Sequence, residues 1–321
     1  MATVSKRVGL DITKRRMSYG DTVFALLMMA GSTAVVLTLG AMIYVLTLQS
    51  WDSITHFGFG FFTSETWNPV TNHFGALSAI YGTVASSIVA LIIAVPIAVG
   101  VALFLSEVAP GPVRVPASFL IEMLAAVPSV VFGLWGLFVL EPRVHDWFEP
   151  ALSATLGWTP FFNGPQLGLG VLAAGIILAI MILPIIAAIS RDVLRAVPQS
   201  QREAALALGA TKWETIWFVV LPYARPGITG AVILGLGRAV GETMAVLLLI
   251  GNSYNIDISL FAPGTTLASS IASNLGEASD LYRAALIELG LILLGITLLI
   301  NVAARILVWR ISTHAGGGHR Y

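Results

Sequence analysis

The hydrophobic positions of this chain fall into long blocks separated by shorter polar connections. Six blocks are long enough to cross about 30 Å of hydrocarbon as an α-helix, which takes about 20 apolar residues. These blocks are residues 24–48, 79–105, 117–140, 167–189, 227–250 and 284–308. The first block is longer than the apolar part of a cleaved signal peptide, so we expect a permanent helix there. The pattern predicts an all-α membrane protein with six transmembrane helices.

The composition supports a membrane protein rather than a soluble domain. The chain has 321 residues, of which 57% are hydrophobic and 11% charged, whereas soluble domains average about 25% charged residues. Cysteine is absent from the sequence, which excludes disulfides and thiolate metal sites. The five histidines lie outside the predicted helices, and no nucleophile–base set is evident. A membrane enzyme is therefore the least favoured class.

Lysine and arginine fall almost entirely on one side of the predicted membrane. Because cytoplasmic loops carry an excess of these residues, that side should be the cytoplasm. The residues on it are Lys6, Arg7, Lys14, Arg15, Arg16, Arg114, Arg191, Arg195, Arg202, Lys212, Arg225, Arg305, Arg310 and Arg320. Only Arg143 and Arg283 lie in the opposite connections. We therefore expect both termini to be cytoplasmic. The cytoplasmic segments are residues 1–22, 190–225 and 310–321, and the membrane domain is residues 23–309.

Two charged residues lie deep in the fifth block. Arg238 and Glu242 are four residues apart, which in a continuous helix places them on one face. Arg238 is about 18 Å from either end of the helix at 1.5 Å per residue, near the membrane midplane. Charged side chains there cost about 3 kcal/mol each or more, so they usually mark function. The alternative is a buried ion pair that only fixes helix packing.

Other polar residues in the blocks have simpler interpretations. Pro128 should free backbone groups near the midplane, and with Ser129 it could line a polar path; a kink that only serves packing is the alternative. Glu122 and Glu288 each lie about one helical turn from a membrane interface, where snorkelling explains them. The outward connections 49–78 and 141–166 are rich in aromatic residues, which predicts either an interfacial belt or a docking surface.

The connection 190–225 predicts a helical elbow. Pro198 suits the start of a helix over residues 199–208, with Ala204, Ala205 and Leu208 on one face, and Gly209 suits its end. Thr211 and Glu214 match a capping box for a second helix, which we expect Pro222 to end. An amphipathic hairpin lying on lipid is the alternative.

The elbow resembles the EAA loop of ABC-importer permeases. The shared features are Glu203-Ala204-Ala205, then Gly209, then Leu221-Pro222, with Val219 in place of the usual Ile. In that family the loop forms a coupling helix that docks in a groove of the ATPase. The resemblance implies that Glu203, Ala204, Ala205 and Gly209 carry the coupling contact.

The resemblance narrows to PstC-type permeases of phosphate-specific importers. The matching segments are residues 74–77, 81–83, 94–97, 128–136 and 237–245. In this family an Arg and a Glu on the fifth helix are implicated in phosphate transport, and they match Arg238 and Glu242. Guanidinium suits phosphate oxygens, and we hypothesise that Glu242 pairs with Arg238 at rest and competes with phosphate. Permeases for sulfate or molybdate, and an ATP-independent anion carrier, are the alternatives.

The resemblance also implies a type I ABC importer permease fold and a set of partners. These are a PstA-like permease, two PstB-like ATPase subunits, a PstS-like phosphate-binding protein, inorganic phosphate and the lipid bilayer of a bacterial or archaeal cell, with no nucleic acid. A phosphate loop needs Gly-Lys-Ser/Thr, and no lysine here follows glycine. ATP and Mg²⁺ are therefore expected on the partner ATPase, and no cofactor is expected on this chain.

Overall fold

The computed structural model describes residues 19–315, and these are mostly helical. The helices are α1 (Tyr19–Gln49), α2 (Trp51–Phe57), α3 (Gly60–Thr63), α4 (Leu77–Leu103), α5 (Gly111–Ala125), α6 (Ser129–Trp135), α7 (Glu141–Arg143), α8 (Glu149–Leu156), α9 (Val171–Arg195), α10 (Gln199–Ala207), α11 (Lys212–Thr215), α12 (Leu221–Val240), α13 (Met244–Leu249), α14 (Leu267–Asn274) and α15 (Asp280–Ala315). Strands β1 (Trp67–Asn68) and β2 (His73–Phe74) form a small antiparallel hairpin. The basic residues Lys6, Arg7, Lys14, Arg15, Arg16 and Arg320 lie outside the described residues.

Five described helices are long and apolar enough to span a membrane, or six if one bent pair counts as a span. The bent pair is Gly111–Ala125 with Ser129–Leu156, which meet at 93°. The straight candidates are Thr22–Gln49, Leu77–Val108, Val171–Arg195, Lys212–Val240 and Asp280–Val308. The third predicted helix is therefore broken at Pro128, where the proline has extended backbone angles and ends the αR geometry of the preceding helix.

The chain divides into two units, residues 1–48 and residues 49–321. In the first unit, the described part is the apolar helix α1. The second unit is built around α9, most of whose residues are buried. Helices α4, α5, α12 and α13 all contact α9, so α9 is the central helix of this unit.

Small residues let α4 approach α9 closely. The buried positions of α4 include a row at four-residue spacing, namely Gly82, Ser86, Ala90, Ala94, Ala98 and Ala102. Opposite them, Leu178, Ile182 and Ile186 of α9 are buried in the same core. A Cβ added at Gly175 would lie 2.4 Å from a methyl carbon of Val89. Close packing through small residues is the usual way in which membrane helices associate.

Four π-helical turns occur among the described helices, and each ends two residues before a proline. The turns are Phe104–Val108, Gly136–Leu140, Val144–Phe148 and Ile216–Val220, and the prolines are Pro110, Pro142, Pro150 and Pro222. A proline lacks an N–H and its ring collides with the carbonyl four residues earlier. At Pro142, Pro150 and Pro222, where the helix continues, a wider turn displaces that carbonyl and leaves one acceptor unpaired, matching the missing donor.

The prediction that Pro222 ends a helix is therefore wrong. The π turn Ile216–Val220 precedes it, and the helix runs without interruption from Lys212 to Val240. The second helix of the predicted elbow and the fifth predicted transmembrane helix are one continuous element.

Many aromatic residues of the 49–78 connection form a core rather than an interfacial belt. Phe61 and Phe74 are buried, at 0% and 2% exposure. Trp67 stacks on Tyr254 with ring centroids 5.2 Å apart, and Phe74 stacks on Tyr282 at 5.1 Å. Other aromatic residues of this connection, such as Phe59 at 80% exposure, remain on the surface. The belt interpretation is therefore wrong for the buried members.

The loop between α13 and α14 folds back onto the start of α9. The amides of Val171 and Leu172 donate to the carbonyls of Ala262 and Leu260, at 3.2 and 2.7 Å. These amides belong to the first turn of α9 and have no acceptor within their own helix. The loop therefore caps the central helix of the second unit.

Candidate functional site

The fifth predicted helix is broken where its two charged residues lie. Helix α12 ends at Val240 and α13 begins at Met244, so the prediction of one helix over residues 227–250 is wrong. Glycines at 237 and 241 lower the helix propensity of this stretch. Glu242 lies in the gap, and its Oε1 accepts a hydrogen bond from the Ala245 amide at 3.4 Å. The carboxylate thus satisfies an amide of the first turn of α13.

The expected pairing of Arg238 with Glu242 is absent from the described residues. Arg238 is on α12, whereas Glu242 is beyond the end of that helix, so the four-residue spacing no longer places them on one helix face. Neither Arg238 nor Glu242 forms an ion pair within residues 19–315. Arg238 is exposed and Glu242 is half-buried. The Arg238 guanidinium is therefore available to an anion.

Ser129 begins the second half of the other broken span. Pro128 is the N-cap of α6, and α6 packs against α13. A Cβ added at Gly133 would lie 3.0 Å from the Cα of Ala245 and 2.8 Å from a methyl carbon of Leu248. The two broken spans therefore meet through the halves that follow their breaks, although no described hydrogen bond joins the Ser129 hydroxyl to Arg238 or Glu242.

The elbow forms largely as predicted. Helix α10 covers Gln199–Ala207, and Gly209 follows it in the left-handed region at φ +88°. The capping box is present, since Thr211 Oγ1 accepts from the Glu214 amide at 3.2 Å and Glu214 Oε2 accepts from the Thr211 amide at 2.8 Å. These local signals were readable from the sequence because each acts over three or four residues.

The predicted apolar face of α10 is covered only in part within this chain. Ala205 is buried at 8% exposure, but Ala204 is exposed and Leu208 is 90% exposed. Glu203 is exposed as well. A Cβ at Gly209 would meet nothing within 4 Å. Three of the four predicted coupling residues therefore form an exposed surface, and Ala205 attaches it to the protein.

Two ion-pair clusters beside α10 were not predicted. Arg202 of α10 bonds to Glu107 in the π turn that follows α4, and also to the Leu194 carbonyl at 2.8 Å. Arg191 of α9 bonds to Glu122 of α5 at 3.0 Å and to Asp192 at 2.9 Å. Residues so far apart in sequence leave no local signal of their pairing. Glu122 is therefore not explained by snorkelling alone, because it neutralises a buried arginine.

The apolar helices define an integral membrane protein with several spans, in which two predicted spans are broken and an arginine is exposed at one of the breaks. Residues 74–313 match the family described as "Binding-protein-dependent transport system inner membrane component". The chain therefore belongs to the family of binding-protein-dependent transport system inner membrane components.

Relatives that share one name come from several bacteria. The chain is 46% identical over 315 residues to the phosphate transport system permease protein PstC of Mesorhizobium japonicum, covering 97% of this chain and 96% of that one. It is 48% identical over 286 residues to the protein of that name from Pasteurella multocida, covering 88% and 89%. These relatives are named as permeases and not as enzymes.

Solved transporter structures share the fold. A chain of a bacterial ABC transporter involved in the import of the acidic polysaccharide alginate matches with a TM-score of 0.61 at 17% identity, covering 91% of this chain and 98% of that one. A chain of the MetNI methionine ABC transporter, in an inward-facing conformation, matches with a TM-score of 0.51 at 20% identity, covering 73% and 94%. At these identities the likeness establishes the fold alone.

Proposed function

We propose that this protein is the membrane-spanning permease subunit of an ATP-driven importer of inorganic phosphate. The observation that carries the proposal is the exposed Arg238 at the break of the fifth span, in a chain 46% identical to a phosphate permease over 97% of its length. Phosphate needs a cation when it leaves water, and a guanidinium matches its oxygens with two parallel hydrogen bonds.

In this structure Glu242 makes a different contact from the one expected from the sequence. Its carboxylate bonds to the Ala245 amide and is not paired with Arg238 in this structure. We propose that it tempers the positive potential near Arg238 without occupying the guanidinium. Transport requires an anion to be bound weakly enough to leave, and a negative charge close to the site weakens its hold on phosphate. Ser129, at the start of the neighbouring half-helix, is proposed to line the same path.

The partners follow from the family. We propose that a PstA-like permease forms the other half of the path, that a PstS-like protein delivers phosphate on the outer face, and that two PstB-like subunits hydrolyse ATP with Mg²⁺ beneath. Both termini are then cytoplasmic, in the plasma membrane of a bacterial or archaeal cell. The exposed Glu203, Ala204 and Gly209, with Ala205 at their base, are proposed to dock on the ATPase.

The Arg238→Ala variant tests the substrate assignment. We expect ATP-dependent phosphate uptake by the reconstituted complex to fall at least about tenfold, since the only proposed cation for the anion is lost. Assembly and basal ATP hydrolysis should persist. Arg225→Ala is the matched control, because it removes an exposed arginine from the same helix. Normal phosphate uptake by Arg238→Ala would refute the assignment.

Competition separates phosphate from other oxyanions. Unlabelled phosphate should suppress uptake of labelled phosphate by the wild-type complex far more strongly than sulfate or molybdate does. Stronger suppression by sulfate or molybdate would instead identify a permease for that anion. Uptake without ATP would indicate an ATP-independent carrier.

A further inference from the structure

Helix α10 is attached to the rest of the protein by an ion pair of Arg202 and by packing against the π turn Ile216–Val220. Among the described residues, Arg202 is the one member of α10 that forms an ion pair, and Ala205 is the one that is buried. The Arg202 guanidinium reaches two elements at once: the Glu107 carboxylate after α4 and the Leu194 carbonyl near the end of α9, the latter at 2.8 Å. One side chain thus joins three helices.

The Arg202–Glu107 pair is largely shielded from water. The two side chains are 16% and 10% exposed. The second oxygen of the carboxylate, Glu107 Oε1, is buried and has no hydrogen-bond partner among the described residues. Glu107 therefore depends on Arg202 for its compensating charge. A buried pair of this kind contributes little net stability, and its better-attested role is to fix how elements are positioned.

The surface opposite this attachment carries the proposed coupling residues. Glu203 follows Arg202 directly, and Glu203 and Ala204 are exposed. A force applied to that surface by a partner can reach the membrane helices through the side chains that connect α10 to them. The direct route leads through Arg202 to α4, which packs along the central helix α9.

A second ion pair extends the route to the broken third span. Arg191 of α9 is 8% exposed and pairs with Glu122 of α5. Helix α5 ends just before the break at Pro128. The end of α9 is therefore tied both to α10, through the Leu194 carbonyl, and to the helix that leads to the break.

We propose that the Arg202–Glu107 pair transmits the displacement of α10 to α4 and α9, and that it sets how much phosphate is transported for each ATP hydrolysed. This inference rests on the proposed coupling function of α10. Arg202 and Glu107 act as positioning residues, because neither is proposed to touch phosphate or ATP. If the pair transmits the displacement, removing the charge of one partner should lower the phosphate transported per ATP. The ATPase should remain bound.

The test is the transport ratio of the reconstituted complex carrying Glu107→Gln. This variant removes the charge that holds α10 to α4 while leaving the Leu194 contact of Arg202 in place. We expect the phosphate transported per ATP to fall about tenfold, within the range typical of allosteric coupling. ATPase co-purification and ATP hydrolysis should be retained.

Two further variants define the result. Arg195→Gln is the control. Arg195 follows Leu194, is exposed and forms no described ion pair, so this variant should leave the ratio unchanged. Arg202→Lys keeps the charge but cannot span both acceptors as a planar fork does, so its ratio should lie between wild type and Glu107→Gln. A purely structural role would lower the amount of assembled complex and leave the ratio per complex unchanged.

An unchanged ratio in Glu107→Gln, or loss of the ATPase from that variant, would overturn the transmission role. Failure of the underlying function is a separate outcome. It would appear in the wild-type complex as an absence of ATP-driven phosphate uptake, before any variant is compared.

Discussion

Glu288 is a carboxylate buried in an apolar part of the protein. It is 3% exposed and lies on α15, where it faces an apolar cleft of about 590 Å³. Ser53 of α2 lies beside it, yet neither Glu288 Oε2 nor Ser53 Oγ has a hydrogen-bond partner among the described residues. The expectation that Glu288 snorkels to the interface is therefore wrong, because α2 covers it.

Replacing Glu288 with glutamine should raise the thermal stability of the protein in detergent at neutral pH. An amide of the same shape carries no charge; burying a polar group without a hydrogen-bond partner costs about 1–3 kcal/mol in proteins, and burying an uncompensated charge costs more. We expect a gain of about 1 kcal/mol in the free energy of unfolding. The exposed Glu65→Gln serves as control and should change nothing. A clear loss of stability in Glu288→Gln would show that the charge has a partner.

At the scale of elements, two broken spans define the site. The break at Pro128 was indicated by the proline, whereas the break at 241–243 was not predicted. In both cases helical structure resumes after the break, as α6 or α13, and Gly133 allows the two to touch. Helix breaks inside membranes are tolerated where the freed backbone lines a cavity or contacts protein. The exposed Arg238 at one break is consistent with such a cavity.

The elbow of α10 and α11 gives a prediction at the same scale. Gly209→Lys should reduce co-purification of the ATPase and abolish ATP-driven uptake, because a side chain at φ +88° costs roughly 1–2 kcal/mol and occupies the proposed docking surface. Gly276→Lys is the control, since Gly276 is equally open but lacks a positive φ.

Gly209→Asn separates backbone strain from contact with the ATPase. Asparagine tolerates a positive φ better than other residues, so strain alone predicts near-normal binding. Normal ATPase binding and transport in Gly209→Lys would argue against the coupling role of this segment.

At the scale of the whole molecule, the orientation rests on the distribution of basic residues. Several arginines that suggest the cytoplasmic side also have structural partners. Arg114 donates to the Ala109 carbonyl at 3.0 Å, and the largely shielded side chains of Arg191 and Arg202 form ion pairs. Arg195 and Arg225 are exposed. The uneven distribution of basic residues therefore reflects the packing of helix ends as well as the expected orientation in the membrane.

The absence of cysteine allows a direct test of this orientation. Val70 is 91% exposed and Ser200 is exposed, so each can be replaced by a single cysteine with little effect on packing. A membrane-impermeant maleimide should label Val70→Cys in intact cells and Ser200→Cys only after the membrane is opened. The reverse pattern would place both termini outside.

The class of the protein and the local features of its elements can be read from the order of its amino acids. Apolar blocks determine which segments enter a membrane, because the bilayer requires about 20 apolar residues for each helix. The helix over Gln199–Ala207, the positive φ of Gly209 and the capping box at Thr211 follow from neighbours within four residues. The motifs indicate the permease family, and one of them contains Arg238.

The partners of the charged side chains depend instead on the three-dimensional packing of the helices. The pairing of Glu107 with Arg202 joins residues 95 positions apart, and that of Glu122 with Arg191 joins residues 69 apart. The four-residue spacing favoured an ion pair between Arg238 and Glu242. Because the helix breaks after Val240, the Glu242 carboxylate instead accepts a hydrogen bond from the Ala245 amide. Residue spacing places two side chains on one helix face only where the helix is unbroken. Whether the helix is unbroken, and which distant residues pair with its charged side chains, both depend on how the helices pack.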